Sequence, residues 1–437
     1  MALLEAVAYD FVEDIATDAV TGVTFVKIHQ SSRFLELGKR YLLLVRALIK
    51  GSSESGGKGV TCKVKYNGEY DAQSVYLNNP ASTGYTHQYS YATIVNCDSY
   101  LTFEDGVELY MAAEEATVTA TCEYSSIMLI DISNLVEGVD YFHEVDKTQD
   151  ENTSTWQTRA TSGTVTINAQ NSGDWLILGH AQHNITNTTY GVQARIFVGS
   201  DVSSSPFTIQ EGENATEFGS DVLCKVINLT SDDSVSIQTQ DTALLGSQHL
   251  HESSQIIGIK LSSFSDYDYK YSGGENSTRN TTFTDGNGDD VGFCSASVGL
   301  GNTQEYLVIG SFISDHGAAS RPFYGRMRSD NGLGTDYSIM NADQETTNYT
   351  STNSKDSADQ TAVFMFGATT VDGDLGTANF TTEYKKTTGN GYGVEDSMIV
   401  IAAIGTGGVT RERLVWNGSA DTDLLNATNW TPSQVPK

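Results

Sequence analysis

Tyr41-Leu42-Leu43-Leu44-Val45-Arg46-Ala47, Trp175-Leu176-Ile177-Leu178-Gly179-His180-Ala181 and Tyr306-Leu307-Val308-Ile309-Gly310-Ser311-Phe312 share one pattern. An aromatic residue opens an aliphatic run that ends in glycine or a polar side chain. The three copies stand 134 and 131 residues apart. Long-period repetition has to be settled before any local assignment, because missing it misassigns the whole fold. The flanks repeat too. A second strand-like piece follows each copy, at 61–66, 191–198 and 324–328, and a third comes later, at 125–130, 253–259 and 395–401. Each unit opens with an aromatic–acidic cluster, Tyr9-Asp10-Phe11, Asp140-Tyr141-Phe142 and Tyr267-Asp268-Tyr269, and a short strand at 24–28, 164–167 or 292–295 precedes the motif.

Within each unit the periodicity is that of strands. Val118, Ala120, Cys122 and Tyr124 alternate onto one face, as do Val235 and Ile237. Polar turn clusters at 51–59, 331–334 and 386–393 separate such runs. No stretch carries three turns of helical periodicity. A propeller blade takes about 45 residues, whereas a unit of about 130 holds one complete sandwich of about eight short strands. The expected fold is therefore all-β: three tandem antiparallel β-sandwich domains of jelly-roll type, at 1–136, 137–264 and 265–405, and a C-terminal tail at 406–437. The motif runs are aliphatic on both strand faces, which predicts central strands whose outer face is covered by a neighbouring domain or subunit.

The chain has 437 residues, 55 acidic and 25 basic, for a net charge of −30. That balance repels phosphate and speaks against a nucleic-acid partner. No apolar run approaches the roughly 18 residues of a membrane helix. With 38% hydrophobic residues, 22 Tyr and 16 Phe, the chain is too apolar to stay disordered. Its start, Met-Ala-Leu-Leu-Glu-Ala-Val-Ala-Tyr-Asp, lacks a basic region and a sustained apolar core, so synthesis in a reducing cytoplasm without a signal peptide is expected. Five cysteines, Cys62, Cys97, Cys122, Cys224 and Cys294, show no CxxC spacing and are odd in number. They read as buried free thiols, with a Cys62–Cys122 bridge as the alternative. Twelve Asn-x-Ser/Thr sequons begin at Asn152 and are read as the chance product of an Asn- and Thr-rich chain.

Few residues suggest chemistry. His249 and His251 would project from one face of a strand about 6–7 Å apart, and three-fold association would gather six imidazoles round a metal. This pair resembles the histidine-x-histidine element of trimeric phage spike tips. Asp285, Asn287 and Asp289 have the spacing that begins a calcium loop. Asp290 stands where glycine is needed and Ala296 where the bidentate glutamate belongs, so a polar turn is the default and calcium the alternative. No G-x-S-x-G, H-E-x-x-H or P-loop occurs, and no enzyme activity is expected. Tyr-rich segments at 85–91 and 267–271 are candidates for stacking a sugar, although the second is also a unit-start landmark.

The tail changes composition. It holds Trp416-Asn417-Gly418, then Asn426-Ala427-Thr428-Asn429-Trp430-Thr431-Pro432 and Pro436. Burying an indole is worth several kcal/mol, so Trp416 and Trp430 are the candidate docking and assembly residues. The tail is similar to W-x-G … A-x-N-W … P segments of phage and bacterial surface proteins. The whole chain resembles the tandem jelly-roll structural proteins of tailed-bacteriophage virions. That resemblance implies a non-enzymatic virion structural protein, a surface decoration, fibre or tail-associated subunit at the virion surface. Its partners would be other virion proteins and copies of itself, with no cofactor, nucleic acid or membrane. A host-receptor or carbohydrate-binding fibre module, meeting host-surface glycans, is the alternative; a glycosylated surface protein of a eukaryotic virus or cell is the second.

Overall fold

In a computed structural model of the chain, the structure describes residues 9–14, 17–32, 34–52, 59–78, 87–98, 106–152, 154–155, 157–161, 172–185, 191–199, 207–211, 217–230, 234–241, 250–272, 276–277, 295–299, 304–316, 323–329, 337–338, 347–349, 359–371, 377–386, 392–406, 415–416 and 430–431. The first unit comprises β1 (Tyr9–Asp14), β2 (Asp18–Thr21), β3 (Val26–Gln30), β4 (Arg40–Gly51), β5 (Val60–Tyr66), β6 (Glu69–Tyr70), β7 (Tyr76–Asn78), β8 (His87–Asn96), β9 (Glu108–Ala113) and β10 (Thr119–Asp131). The second comprises β11 (Tyr141–Asp146), β12 (Asp150–Glu151), β13 (Gln157–Thr161), β14 (Gly173–Ile185), β15 (Gly191–Val198), β16 (Phe207–Glu211), β17 (Glu217–Leu229), β18 (Val235–Asp241) and β19 (Leu250–Lys260). The third comprises β20 (Tyr267–Ser272), β21 (Asn276–Ser277), β22 (Ser295–Gly299), β23 (Gln304–His316), β24 (Phe323–Ser329), β25 (Tyr337–Ser338), β26 (Thr347–Tyr349), β27 (Asp359–Val371), β28 (Thr377–Lys386) and β29 (Tyr392–Thr406). β30 (Val415–Trp416) and β31 (Trp430–Thr431) form a two-stranded ribbon.

The fold is all-β, a set of antiparallel sandwiches. One sheet of each unit runs β1-β10-β4-β8, β11-β19-β14-β17 or β20-β29-β23-β27; the other runs β3-β9-β5-β7, β13-β18-β15-β16 or β22-β28-β24-β25. The order is the same three times. It is the jelly-roll order, in which the first strand of the unit lies beside the last and the motif strand lies next to it.

The aliphatic motif decides how the sandwiches pack. Along β4, Tyr41, Leu43 and Val45 point into the first sandwich, while Leu42 and Leu44 point the other way. Trp175 and Ile177 fill the second sandwich, and Leu176 and Leu178 point away from it. The outward set joins Leu307 and Ile309 in one buried cluster drawn from all three units. The expected cover for the outer face is therefore the other two repeats. Strand register stacks this shared core in layers. Leu42, Leu176 and Leu307 pair with Ile130, Ile259 and Ala402 in the first layer. Leu44, Leu178 and Ile309 pair with Met128, Ile257 and Val400 in the second. Tyr9, Tyr141 and Tyr267, from the unit-opening clusters, are in register with the first layer.

The contacts between units run head to tail and close. Thr93 on β8 hydrogen-bonds Gln255 of the second unit at 2.9 Å. Lys225 on β17 lies 5.0 Å over the ring of Tyr271 of the third unit. Phe366 on β27 meets Phe11 of the first unit edge-on, with ring centroids 6.3 Å apart. β8, β17 and β27 are the same edge strand of their sheets, so each unit presents one edge to the next and the third returns to the first. Three head-to-tail interfaces that close make a pseudo-threefold ring about the shared core. Where β7 reaches β17, a single pair, Phe218 with Leu77, fuses an outer sheet of the first unit to an inner sheet of the second.

One assignment within a strand needs correction. Val118, Ala120 and Cys122 do line the first sandwich, but Tyr124 does not join them. The register slips between Cys122 and Tyr124, leaving Glu123 as a bulge. One extra residue inverts the alternation, so Tyr124, Ser126, Met128 and Ile130 all face the axis.

Candidate functional site

The first two layers of the axial core are apolar; the third is not. Its positions, one strand repeat beyond Leu44, Leu178 and Ile309, are Arg46, His180 and Ser311. Arg46 and His180 are buried, paired in register with Ser126 and Gln255. Arg46 donates from Nε to Gln88 Oε1 at 3.3 Å, and its guanidinium stacks 5.4 Å from the centre of the Tyr124 ring. Tyr124 donates its hydroxyl to Glu13 at 2.6 Å, and Glu13 is fully buried. Two buried residues of opposite charge type are thus linked through one tyrosine, Arg46 against the face of the Tyr124 ring and Glu13 at its hydroxyl.

On the neighbouring side of this layer, the seam between the first two units is polar. Gln255 Oε1 accepts from Thr93 and lies 3.0 Å from His143 Nε2. Gln182 donates to Val75 O at 2.8 Å and accepts from Ser253 at 3.0 Å. The His180 ring stands edge-on to Tyr91 at 5.2 Å, and Tyr91 and Tyr66 both donate to Asp71. Burial lowers the His180 pKa to about 4 against a weaker opposing pull from Asp71, and burial also lowers that of His143. Both imidazoles are therefore neutral at pH 7. The other seams carry the Lys225–Tyr271 contact, a bond from Val226 N–H to Met398 Sδ at 3.1 Å, and the Phe11–Phe366 pair.

The residues singled out by sequence are scattered. Trp416 and Trp430 are direct cross-strand partners in the β30–β31 ribbon, and β30 lies alongside β1. His251 is buried inside the second sandwich, its Nδ1 2.8 Å from Thr148 O and its ring 5.9 Å from that of His183. Burial, then the nearby Arg159 guanidinium, lowers its pKa. Arg159 in turn donates to Thr239, Asn152 and Gln157. His249, Asp285, Asn287 and Asp289 lie outside the described residues. Among the described residues no group of three or more His, Cys, Asp or Glu is placed to hold a metal ion.

Other expectations resolve individually. Cys62, Cys97, Cys122 and Cys224 are buried free thiols; Cys294 lies outside the described residues. Burial raises the pKa of Cys62 and Cys224, the condition of inert rather than reactive cysteines. Tyr89 and Tyr91, proposed for sugar stacking, are fully buried, with the Tyr89 hydroxyl tied to Ser74 O at 2.8 Å. Tyr267, Tyr269 and Tyr271 pack against the axial core. Asn152, the first sequon, is buried and bonded to Arg159 and Thr239, so in the folded chain it is closed to a glycan. Ser125 Oγ and His29 Nδ1 are 2.8 Å apart, but both side chains are buried and burial holds His29 near a pKa of 3, too low for a general base at neutral pH.

Sequence reasoning missed the polar layer. Its signal was present: the fifth residue after each motif aromatic is Arg46, His180 or Ser311, the place where an otherwise aliphatic pattern turns polar in every copy.

No protein-family model and no curated protein matches the chain. Among solved structures it is similar to a protein of an archaeal virus described for its triple jelly-roll fold and turret assembly. The identity is 11%, over 91% of this chain and 92% of that one, with a TM-score of 0.20. A chain of Sulfolobus Turreted Icosahedral Virus is similar at 8% identity and TM-score 0.20, covering 91% and 90%. Recombinant peptide:N-glycanase F is similar over 60% of this chain and 96% of its own, at 12% identity and TM-score 0.30. Likenesses this low carry no weight for what the chain does. No helix among the described residues is long and apolar enough to cross a membrane.

Proposed function

We propose that the chain is a non-enzymatic structural protein of a virion, a surface decoration, fibre or tail-associated subunit of a phage particle made in the host cytoplasm. The observation that carries this reading is the closed ring: one chain satisfies internally the interfaces that three jelly-roll subunits would otherwise share. The buried side chains of Thr93, Gln182 and Gln255 bond across an internal seam, and the thiols are buried and free, as suits folding in a reducing compartment. A charge of −30 keeps crowded copies apart. The partners are other virion proteins and neighbouring copies, without nucleic acid, membrane or cofactor. The β30–β31 ribbon, with Trp416 and Trp430, is the docking element. Imaging of native particles with this chain labelled tests the proposal: density at defined sites supports it, and absence from purified particles refutes it.

One observation favours the host-receptor reading as an additional role. On the outer sheet of the first sandwich Lys63 Nζ lies 3.5 Å from the ring centres of both Phe25 and Tyr70, and Tyr110 packs edge-on to Tyr70 at 5.2 Å. Tyr70 is exposed. The exposed Tyr70 ring, beside the half-buried Phe25 and Tyr110 and flanked by Lys27, Lys65 and Glu108, offers stacking and hydrogen bonds to a glycan. Glycan-array binding that Tyr70→Ala removes supports the role; an array with no binding rejects it.

A further inference from the structure

The two linkers between sandwiches do the same structural job and so serve as controls for each other. Ile132 and Leu135 in the first, and Leu261 and Phe264 in the second, close one end of the axial core. Each makes the same tight turn, Leu135 N to Ile132 O at 2.9 Å and Phe264 N to Leu261 O at 3.0 Å. From there to the next strand the first linker is three residues longer.

Those extra residues build a fixed apolar knob. Val139 N and Asp140 N both bond to Val136 O, at 3.1 and 2.8 Å. Asp140 Oδ2 accepts from Val136 N at 2.9 Å, and Gly138, at φ +79°, bonds to Tyr141 O at 2.8 Å. The turn holds Val136 56% and Val139 45% exposed. The second linker exposes Ser262 and Ser265 instead, so closing the core does not require apolar side chains in water.

The same end of the molecule carries a second apolar pair. Phe34 is 51% and Leu37 59% exposed in the loop before β4. That loop is tied to the first linker: Ile132 N bonds to Arg40 O at 2.8 Å, Arg40 N to Ser133 Oγ at 2.9 Å, and Lys39 pairs with Asp131 at 3.0 Å. Next to these side chains along the chain stand Glu36, Glu137 and Asp140, with Lys39 and Arg40, and Asp98 follows Cys97, whose carbonyl accepts from Gly38 N at 2.7 Å. The last strand of the third sandwich also ends here, with Ile404 on the axial core.

We propose that the linker end of the axis is the end by which the chain attaches, and that its partner is a different protein presenting an apolar recess rimmed by Lys or Arg. This rests on the reading of the chain as an assembly subunit, and names which surface does the assembling. A rigid apolar knob inside an acidic rim matches a partner of that chemistry. A second copy does not fit, because it would bring a like acidic rim, on a molecule of charge −30, against this one.

The test places a photo-crosslinking benzoylphenylalanine at position 139 of the full chain, and separately at position 23 as an exposed control in the turn between β2 and β3, in native particles. The account expects position 139 to crosslink to a different polypeptide, at apolar residues flanked by Lys or Arg, and position 23 not to. Val136→Asp with Val139→Asp is expected to lower incorporation at least about tenfold while the thermal midpoint of the free chain stays unchanged. Raising salt is expected to weaken attachment. The proposal is overturned if position 139 crosslinks to another copy of this chain, or to nothing in particles that contain it. It is also overturned if the folded double variant incorporates normally. A chain absent from every particle would instead defeat the functional reading itself, and this inference with it.

Discussion

Leu44→Ala separates a shared axial core from three independent sandwiches. Leu44 lies on the face of β4 turned away from its own sandwich and is fully buried only because the other units cover it. In a free-standing first sandwich that side chain would meet water, and its truncation would fall within about 0.5 kcal/mol of neutral. In the ring the loss is the transfer free energy of a buried leucine plus a cavity among Met128, Leu178 and Ile309. Leu-to-Ala changes at such sites cost about 3–5 kcal/mol. Because the cavity is shared, the cost is felt by the neighbours. Hydrogen exchange of peptides spanning β14, more than 130 residues away in sequence, reads this. Slow amides at Leu176 and Leu178 are expected to exchange faster by two orders of magnitude or more, since about 1.4 kcal/mol is a factor of ten. Unchanged protection of β14 in a folded Leu44→Ala chain would refute the shared core.

Three further outcomes follow from particular residues. A Cβ on Gly258 would fall 2.1 Å from Cε1 of the buried Phe142, its cross-strand partner, so Gly258→Ala is expected to destabilise by about 1–3 kcal/mol or more in denaturant melts. His180, with its pKa lowered by burial to about 4 from 6.5, is neutral when folded and takes up a proton first when unfolded, so its contribution is complete above pH 6.5 and lost as pH falls toward 4. The loss is about 3 kcal/mol, and stability measured from pH 7 to 4 should fall less steeply in His180→Gln. Cys62, Cys97, Cys122 and Cys224 should resist a thiol reagent in native buffer and react together on unfolding; rapid reaction of any one in the folded chain would contradict its burial.

The sequence carried the sandwiches better than their arrangement. Three copies of one motif, with flanking strands in constant order, made the jelly-roll repeat legible, and the two-sided aliphatic runs announced that something covers the outer faces. What covers them was not legible, because the pairings of Thr93 with Gln255 and Phe11 with Phe366 join residues with no periodic relation in the chain. Tyr124 was misplaced because a bulge at Glu123 leaves no mark in the alternation before it. Arg46 and Glu13 would pass for solvent-facing charges; only register shows that they lie along the axis. The knob at Val136 and Val139 becomes visible once the two linkers are aligned by structure.

Small-angle scattering from the isolated chain, with its mass measured in the same run, tests the closed ring most directly. A monomer of 47.2 kDa with a radius of gyration of about 22 Å is the value for one compact body of 437 residues. Three sandwiches strung in a line about 35 Å apart would give about 32 Å, and a monomer of that size would contradict the ring.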